Sequence, residues 1–193
     1  MKRLAVYCGS ATPTDPRYVA LAQEVGRTLA KEDIGIVYGG GRLGLMGALA
    51  AGALRAGGEV IGVIPQALVS AEVANYDCTD LHVVPTMHER KAAFARYSDG
   101  FLILPGGVGT MDELWEAVSW SQLGYHQKPI GVLNAFGFYD GLLAFNRHMA
   151  DVGFVRLQHQ GIILAETELD LLLERMRAHE PVMPITRMDP KTL

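Results

Sequence analysis

Short runs rich in valine, isoleucine and leucine alternate along this chain with longer segments of helical period, at residues 4–8, 34–38, 60–64, 81–84, 101–104, 130–133 and, more weakly, 162–164. Most are continuously apolar instead of alternating, the pattern of parallel strands covered on both faces. The alternation predicts an α/β fold: a single-domain, Rossmann-like, doubly wound, mainly parallel sheet flanked by helices with right-handed crossovers. With 193 residues the chain suffices for one domain with a substantial core. That domain is expected to span residues 1–180, followed by a loosely held, proline-containing tail at 181–193. No internal repeat, low-complexity tract or linker interrupts it.

Helix starts are marked locally. Asp15-Pro16 offers a cap followed by proline at the first helical position. Thr86 to Glu89 and Thr110 to Glu113 both match the Thr-x-x-Glu capping box. The Ala/Gly/Leu-rich residues 45–56 predict a helix packed closely on the sheet, and residues 167–178 an amphipathic terminal helix.

Several function classes are disfavoured. A formal net charge of −4 argues against a general binder of nucleic-acid polymers. About half of the residues are apolar (49%), yet no run is long enough to span a bilayer, so no membrane partner is expected. The apolar stretch after Met1-Lys2-Arg3 is too short for a signal-peptide core. Cys8 and Cys78 form neither a disulfide framework nor a metal-ligand spacing, which makes a reducing cytoplasm the expected location. The six histidines show no metal pattern, and no Gly-x-Ser-x-Gly elbow is present.

Two glycine-rich turns carry the chemistry. Gly39-Gly40-Gly41-Arg42-Leu43-Gly44 contains a literal G-x-G-x-x-G, but it follows the second strand, and the next strand ends without the acid that would hold a ribose. A nucleotide or phosphate pocket involving Gly40 and Gly41 is therefore favoured over NAD(P), with tight strand–helix packing as the plain alternative. The absence of Gly-Lys-Ser/Thr argues against a P-loop. The second turn, Pro105-Gly106-Gly107-Val108-Gly109-Thr110-Met111-Asp112-Glu113, joins an apolar strand to a helix start whose N–H groups can hold an anion. A capping box alone would explain Thr110 and Glu113, but not three glycines or the cations Arg90 and Lys91 on the preceding helix. Glu116 either holds Arg90 or is a surface acid, while Glu89 reads as the capping partner of Thr86. Leu114, Trp115, Val118 and Trp120 read as core or subunit interface. In a doubly wound sheet both turns lie at the carboxyl edge, where one cleft can collect them.

These motifs, in this order, resemble the Lonely Guy family of cytokinin riboside 5′-monophosphate phosphoribohydrolases. The similarity covers Tyr38-Gly39-Gly40-Gly41, Gly44-Leu45-Met46-Gly47, Met87-His88-Glu89-Arg90-Lys91, Leu104 to Thr110 with Glu113, Trp120 to Gly124, Lys128 to Asn134 and Gly137-Phe138-Tyr139. The resemblance implies that Arg90 and Glu113 are the catalytic pair. It implies nucleotide contacts from Lys91 and from the loop running from Gly106 through Gly107, Val108, Gly109 and Thr110 to Met111 and Asp112. Glu72 matches the position of a substrate-binding acid, and Ser119 stands where many relatives have threonine. Arg42 replaces a serine common after the triple glycine. The implied reaction is hydrolysis of the N-glycosidic bond of N6-modified adenosine 5′-monophosphates, giving free base and ribose 5-phosphate. No metal or organic cofactor is implied; a homodimer is. The alternatives are a general AMP or nucleoside-monophosphate nucleosidase and a non-catalytic nucleotide or molybdenum-cofactor carrier. Decarboxylation fits poorly, because nothing identifies a Schiff-base lysine.

Overall fold

The computed structural model describes residues 1–69 and 73–186. Seven strands alternate with helices: β1 (Arg3–Tyr7), α1 (Arg17–Lys31), β2 (Gly35–Tyr38), α2 (Gly44–Arg55), β3 (Val60–Pro65), α3 (Gln66–Val69), β4 (Asp80–Val84), α4 (Met87–Tyr97), β5 (Gly100–Ile103), α5 (Val108–Leu123), β6 (Ile130–Leu133), α6 (Asp140–Asp151), β7 (Ile163–Glu166) and α7 (Leu169–Arg177). Each strand lies within two residues of its expected position. All pair in parallel, in the order β4-β3-β2-β1-β5-β6-β7. The chain thus winds outward from β1 to one edge, returns, and winds outward from β5 to the other. The switch point lies between β1 and β5.

Side chains of β1 show why its sequence is apolar throughout. Leu4 and Val6 enter one core with Leu29, Leu49 and Leu172, from α1, α2 and α7. Ala5 and Tyr7 enter a second core with Phe94, Leu114 and Tyr139, on the side of α4 and α5. The small residues of α2 serve a closer approach than the sheet demands. A Cβ on Gly52 would lie 2.0 Å from the Gln23 carbonyl oxygen, and one on Gly26 would lie 2.1 Å from that of Leu49, so α1 and α2 meet backbone to backbone.

At two of the three marked helix starts the expected side chain accepts a backbone N–H, although α1 begins at Arg17, one residue after the proline. The Asp15 carboxylate accepts the Arg17 N–H (2.9 Å) just ahead of α1, and Thr86 Oγ1 accepts the Glu89 N–H (3.2 Å) at the start of α4. The capping box at Thr110–Glu113 does not form. The helix begins earlier, with Gly107 as its flanking residue and Met111 N donating to Gly107 O (3.1 Å). Thr110 is consequently buried inside the first turn, and Glu113 falls in the second.

The described part of the tail is not loose. Ile185 N donates to Gln122 O (2.8 Å) and Thr186 Oγ1 to Leu123 O (2.8 Å), covering carbonyls left open where α5 ends at the left-handed Gly124. Lys128 Nζ closes the end of α4 in a similar way, donating to the carbonyls of Ala95 and Ser98. Among the described residues no helix is long and apolar enough to cross a membrane.

Candidate active site

At the switch point, beyond the carboxyl ends of the strands, lies a cleft of about 490 Å³. It collects Gly9, Ser10 and Ala11 after β1, Gly39 and Gly41 after β2, Arg90 from α4, and Gly107, Val108, Gly109, Thr110 and Glu113 from α5. Both glycine turns therefore reach one cavity, but they play different parts.

The turn after β2 is stitched to protein. Leu45 N and Met46 N, in the first turn of α2, both donate to Gly9 O (3.1 and 3.4 Å), Asn75 N donates to Gly40 O (2.8 Å), and Arg42 N donates to Val73 O (2.9 Å). Gly40 takes φ +70°, and a Cβ there would meet Ile64 and Leu81 instead of the cleft. Of the two expected phosphate-facing glycines, Gly41 lines the cavity and Gly40 does not. The turn thus combines tight packing, at Gly40, with a place in the cleft wall, at Gly39 and Gly41.

The turn after β5 has the opposite character. The backbone N–H groups of Gly107, Val108, Gly109 and Thr110 have no hydrogen-bond partner among the described residues. Nothing lies within 4 Å of where a Cβ on Gly107 or Gly109 would be, so the helix start opens to the cleft. Four free donors at the positive end of α5 are what an anion-binding helix start requires. Gly106 sits behind it: a Cβ there would lie 2.1 Å from Thr110 Oγ1, so glycine lets this turn close over the buried threonine.

Arg90 and Glu113 face each other across the cleft floor, with Arg90 Nη2 3.8 Å from Glu113 Oε1 and side chains only 12% and 13% exposed. The guanidinium is held from behind: Nε donates to Val63 O (3.2 Å), and its carbon lies 5.2 Å from the centre of the Phe94 ring. Among the described residues Glu113 has no hydrogen-bond partner of this kind. Burial pushes its pKa up from 4.5 to about 7; Asp112 and Glu116 push the same way, and the charges of Arg90 and Lys91 only partly oppose them. A carboxylate balanced between its two protonation states near neutrality, beside an anion site, is suited to proton transfer or to stabilising developing positive charge.

The other expected site residues are dispersed. Lys91 does not line the cleft; its Nζ bridges Asp112 Oδ2 (2.7 Å) and Glu116 Oε1 (3.3 Å). Glu116 accordingly holds neither Arg90 nor an isolated surface position. Asp112 is exposed and occupied by that pair, Met111 packs against the second core, and Ser119 is exposed and away from the cavity. Glu72 lies outside the described residues. Leu114 is buried, and Trp115, Val118 and Trp120 pack on the second core. Sequence reasoning overlooked the cavity's apolar wall, formed by Leu43, Met46, Ile64, Leu68 and Val73. It also overlooked Gly39, although a third consecutive glycine was a signal that space was needed there.

A doubly wound domain with an open helix start and a buried carboxylate–guanidinium pair at its switch point is a small-ligand protein of the Rossmann-like class. Its fold recurs in the molybdenum cofactor carrier protein of Chlamydomonas reinhardtii (TM-score 0.67, 19% identity, 92% of this chain and 98% of that one). It recurs again in the molybdenum cofactor binding protein of Rippkaea orientalis (TM-score 0.69, 19% identity, 92% and 97% covered). The family described as possible lysine decarboxylase matches residues 46–176. The chain is 43% identical to the probable cytokinin riboside 5′-monophosphate phosphoribohydrolase LOGL1 of Oryza sativa subsp. japonica, over 95% of this chain and 84% of that protein. It is 39% identical to the cytokinin riboside 5′-monophosphate phosphoribohydrolase LOG5 of Arabidopsis thaliana, over 94% and 79%. The chain belongs to this Lonely Guy family.

Proposed function

We propose that this protein hydrolyses the N-glycosidic bond of N6-modified adenosine 5′-monophosphates, releasing the free base and ribose 5-phosphate. The observation that carries this reading is the placement of Glu113, poised near neutral pH, on the same helix whose open N-terminus can hold a phosphate. Phosphate held at Gly107 to Thr110 would fix the sugar, so that C1′ is presented to Glu113. As the C1′–N9 bond breaks, positive charge spreads over the ribose, and the ionised carboxylate stabilises it or takes a proton from the attacking water. Water supplies the hydroxyl that ends on C1′, and its other proton ends on the departing purine. Arg90 is too basic to give up a proton, so it hydrogen-bonds the leaving base and opposes the charge of Glu113. The apolar wall of Leu43, Met46, Ile64, Leu68 and Val73 suits a base bearing an apolar N6 substituent over unmodified adenine.

Decarboxylation, which the name of the matched family suggests, would ordinarily require a lysine to hold pyridoxal phosphate. Among the described residues no lysine lines the cleft, and Lys91 is engaged by two carboxylates outside it. The residues present do not fit that cofactor. A homodimer remains part of the proposal by family analogy, and a cytoplasmic location by the two free cysteines, Cys8 and Cys78. Trp115, which sequence reasoning left open between core and interface, is partly buried and packs against the second core.

The test incubates purified protein with AMP and with N6-isopentenyladenosine 5′-monophosphate and resolves the products by chromatography. Release of free base and ribose 5-phosphate, faster from the modified nucleotide, is the expected result. Release at equal rates would support the general nucleosidase. Binding without release from either would turn the reading toward a carrier.

A further inference from the structure

Three tyrosines are buried: Tyr7, Tyr38 and Tyr139. A buried tyrosine ordinarily gives its hydroxyl a partner. Tyr139 Oη donates to Leu104 O (2.7 Å), and Tyr38 Oη accepts from Asn75 Nδ2 (3.0 Å) beside Cys78 Sγ (3.3 Å). Of the three, Tyr7 alone lacks a hydrogen-bond partner among the described residues, although it is only 5% exposed. Its oxygen is not sealed inside the core: among the described residues no fully buried side-chain nitrogen or oxygen is left without a partner. The hydroxyl therefore emerges where Tyr7, the last residue of β1, lines the cleft. We infer that Tyr7 is a further catalytic residue, whose hydroxyl and the Glu113 carboxylate together hold the water that attacks C1′.

This role rests on the reaction proposed above, and the surroundings of Tyr7 suit it. Its ring meets Phe94 edge to face (5.4 Å between centres), and Phe94 in turn carries the Arg90 guanidinium at 5.2 Å. Phe101 packs 5.8 Å from the same ring, and Tyr7 O accepts from Leu104 N (2.9 Å), so the hydroxyl is held in place from behind. Glu113 lines the same cleft and likewise has no hydrogen-bond partner among the described residues. Two such groups in one cleft are the setting in which an ordered water bridges them. Tyr7 is not itself a base. Burial first, and then the charge of Glu113, push its pKa well above the ordinary tyrosine range, with Glu116 adding and Arg90 opposing. The phenol keeps its proton and contributes position. One O–H of the water goes to Glu113 and the other to Tyr7 Oη, which leaves a lone pair of its oxygen free for C1′. As the C1′–N9 electron pair departs with the base, that oxygen bonds C1′. The proton taken by Glu113 passes to the base, and the second proton stays on the new C1′ hydroxyl.

Methanol probes this arrangement, because it has one O–H where water has two. It satisfies Glu113 but not Tyr7 as well; its oxygen would bond C1′ and its proton would pass through Glu113 to the base. The test compares wild type with Tyr7→Phe, which keeps the ring and removes only the hydroxyl. Both are assayed on N6-isopentenyladenosine 5′-monophosphate with and without methanol. Tyr7→Phe should lower kcat by about three- to tenfold, the worth of one hydrogen bond, with KM within about threefold of wild type. Its melting temperature should stay within about 2 °C, since no protein contact is lost. The share of methyl ribofuranoside 5-phosphate among the sugar products should rise by about threefold or more. An unchanged methanol share would overturn the assignment whatever kcat does. So would a rise in KM of about tenfold with kcat intact, which would make Tyr7 a binding group only. Should the wild type hydrolyse neither nucleotide, the reaction fails, and a high-resolution crystal structure of the wild type decides the water-holding pair. A water within about 3.2 Å of both Tyr7 Oη and the Glu113 carboxylate would uphold it, and the absence of that water would refute it.

Discussion

Gly39 lacks a side chain where the guanidinium of Arg90 needs the room: a Cβ on Gly39 would lie 2.2 Å from Arg90 Nη2. The triple glycine is thus partly a seat for a cation carried by a helix fifty residues later in the chain (roughly; a separation only long-range folding creates). Gly39→Ala should disturb function more than folding, because the atom displaced is the far end of a flexible side chain. We expect an unfolding free energy within about 1 kcal/mol of wild type and a fall in kcat/KM of about tenfold or more as Arg90 leaves Glu113. Unchanged turnover, with Arg90 simply shifted, would show that its position is not critical.

Gly109 faces open space, and its N–H is one of the four at this helix start that have no partner among the described residues. Gly109→Asp has room for its side chain and places a carboxylate where an anion is favoured at a helix start. The variant should therefore be at least as heat-stable as the wild type, yet bind AMP about tenfold more weakly or worse, because its own charge competes with phosphate. Calorimetric titration with AMP beside a melting curve reads both. Undiminished AMP affinity would move the phosphate elsewhere.

Glu113→Gln keeps the shape of the side chain and removes the ionisable group. Turnover should fall by about 10²- to 10⁴-fold, with AMP affinity within about threefold of wild type. Near-normal turnover by this variant would remove Glu113 from the chemistry.

The same substitution should stabilise the protein in alkali. Unfolded Glu113 loses its proton near 4.5, whereas burial holds the folded group protonated to about 7. Between those values the folded state binds more protons, so stability falls as pH rises, by about 3 kcal/mol above pH 7. Glu113→Gln should melt higher than wild type by roughly 5 °C or more at pH 8 and equally at pH 4.5. Coincident melting curves at pH 8 would mean that the carboxyl is solvated.

His126 produces a slope of the opposite sign. Burial lowers its pKa from 6.5 to about 4, and the ring is held neutral between Ala117 O, which pairs with Nε2 (2.9 Å), and Lys128 N, which donates to Nδ1 (3.2 Å). Here the unfolded state takes the proton first, so stability is lost as pH falls from 6.5 toward 4. In the wild type this loss overlaps the gain from Glu113. Urea unfolding of Glu113→Gln between pH 7 and 5 should expose the His126 slope, and adding His126→Asn should flatten it. An unchanged slope in the double variant would assign acid lability to another group.

What the sequence disclosed depends on the range of the forces involved. The seven strands and the caps at Asp15 and Thr86 are set by near neighbours, and all were legible. The failures came where a distant partner decides. Thr110 and Glu113 match a capping pattern, but the helix starts earlier, after Gly107, and Gly106 has no Cβ where Thr110 Oγ1 and Gly9 N both crowd in. Lys91 adjoins Arg90 in sequence, yet successive helical residues point about 100° apart, which sends one to the cleft and the other to Asp112 and Glu116. The G-x-G-x-x-G turn does reach the cleft through Gly39 and Gly41, but nothing local shows that Gly9 O takes the Leu45 and Met46 N–H groups of α2.

The switch point also orders the birth of the molecule. As the chain leaves the ribosome, β1 to β4 can assemble into half a sheet before β5 exists. Until residues 100–103 emerge, the exposed side of β1 is an unpaired edge, the feature that invites wrong partners in partly made proteins. Arrival of β5 seals that edge and, in the same movement, brings Gly107 to Thr110 beside Gly9. Protection of the nascent edge and completion of the cleft are one event, so a chain stalled before β5 is both incapable of catalysis and prone to aggregate.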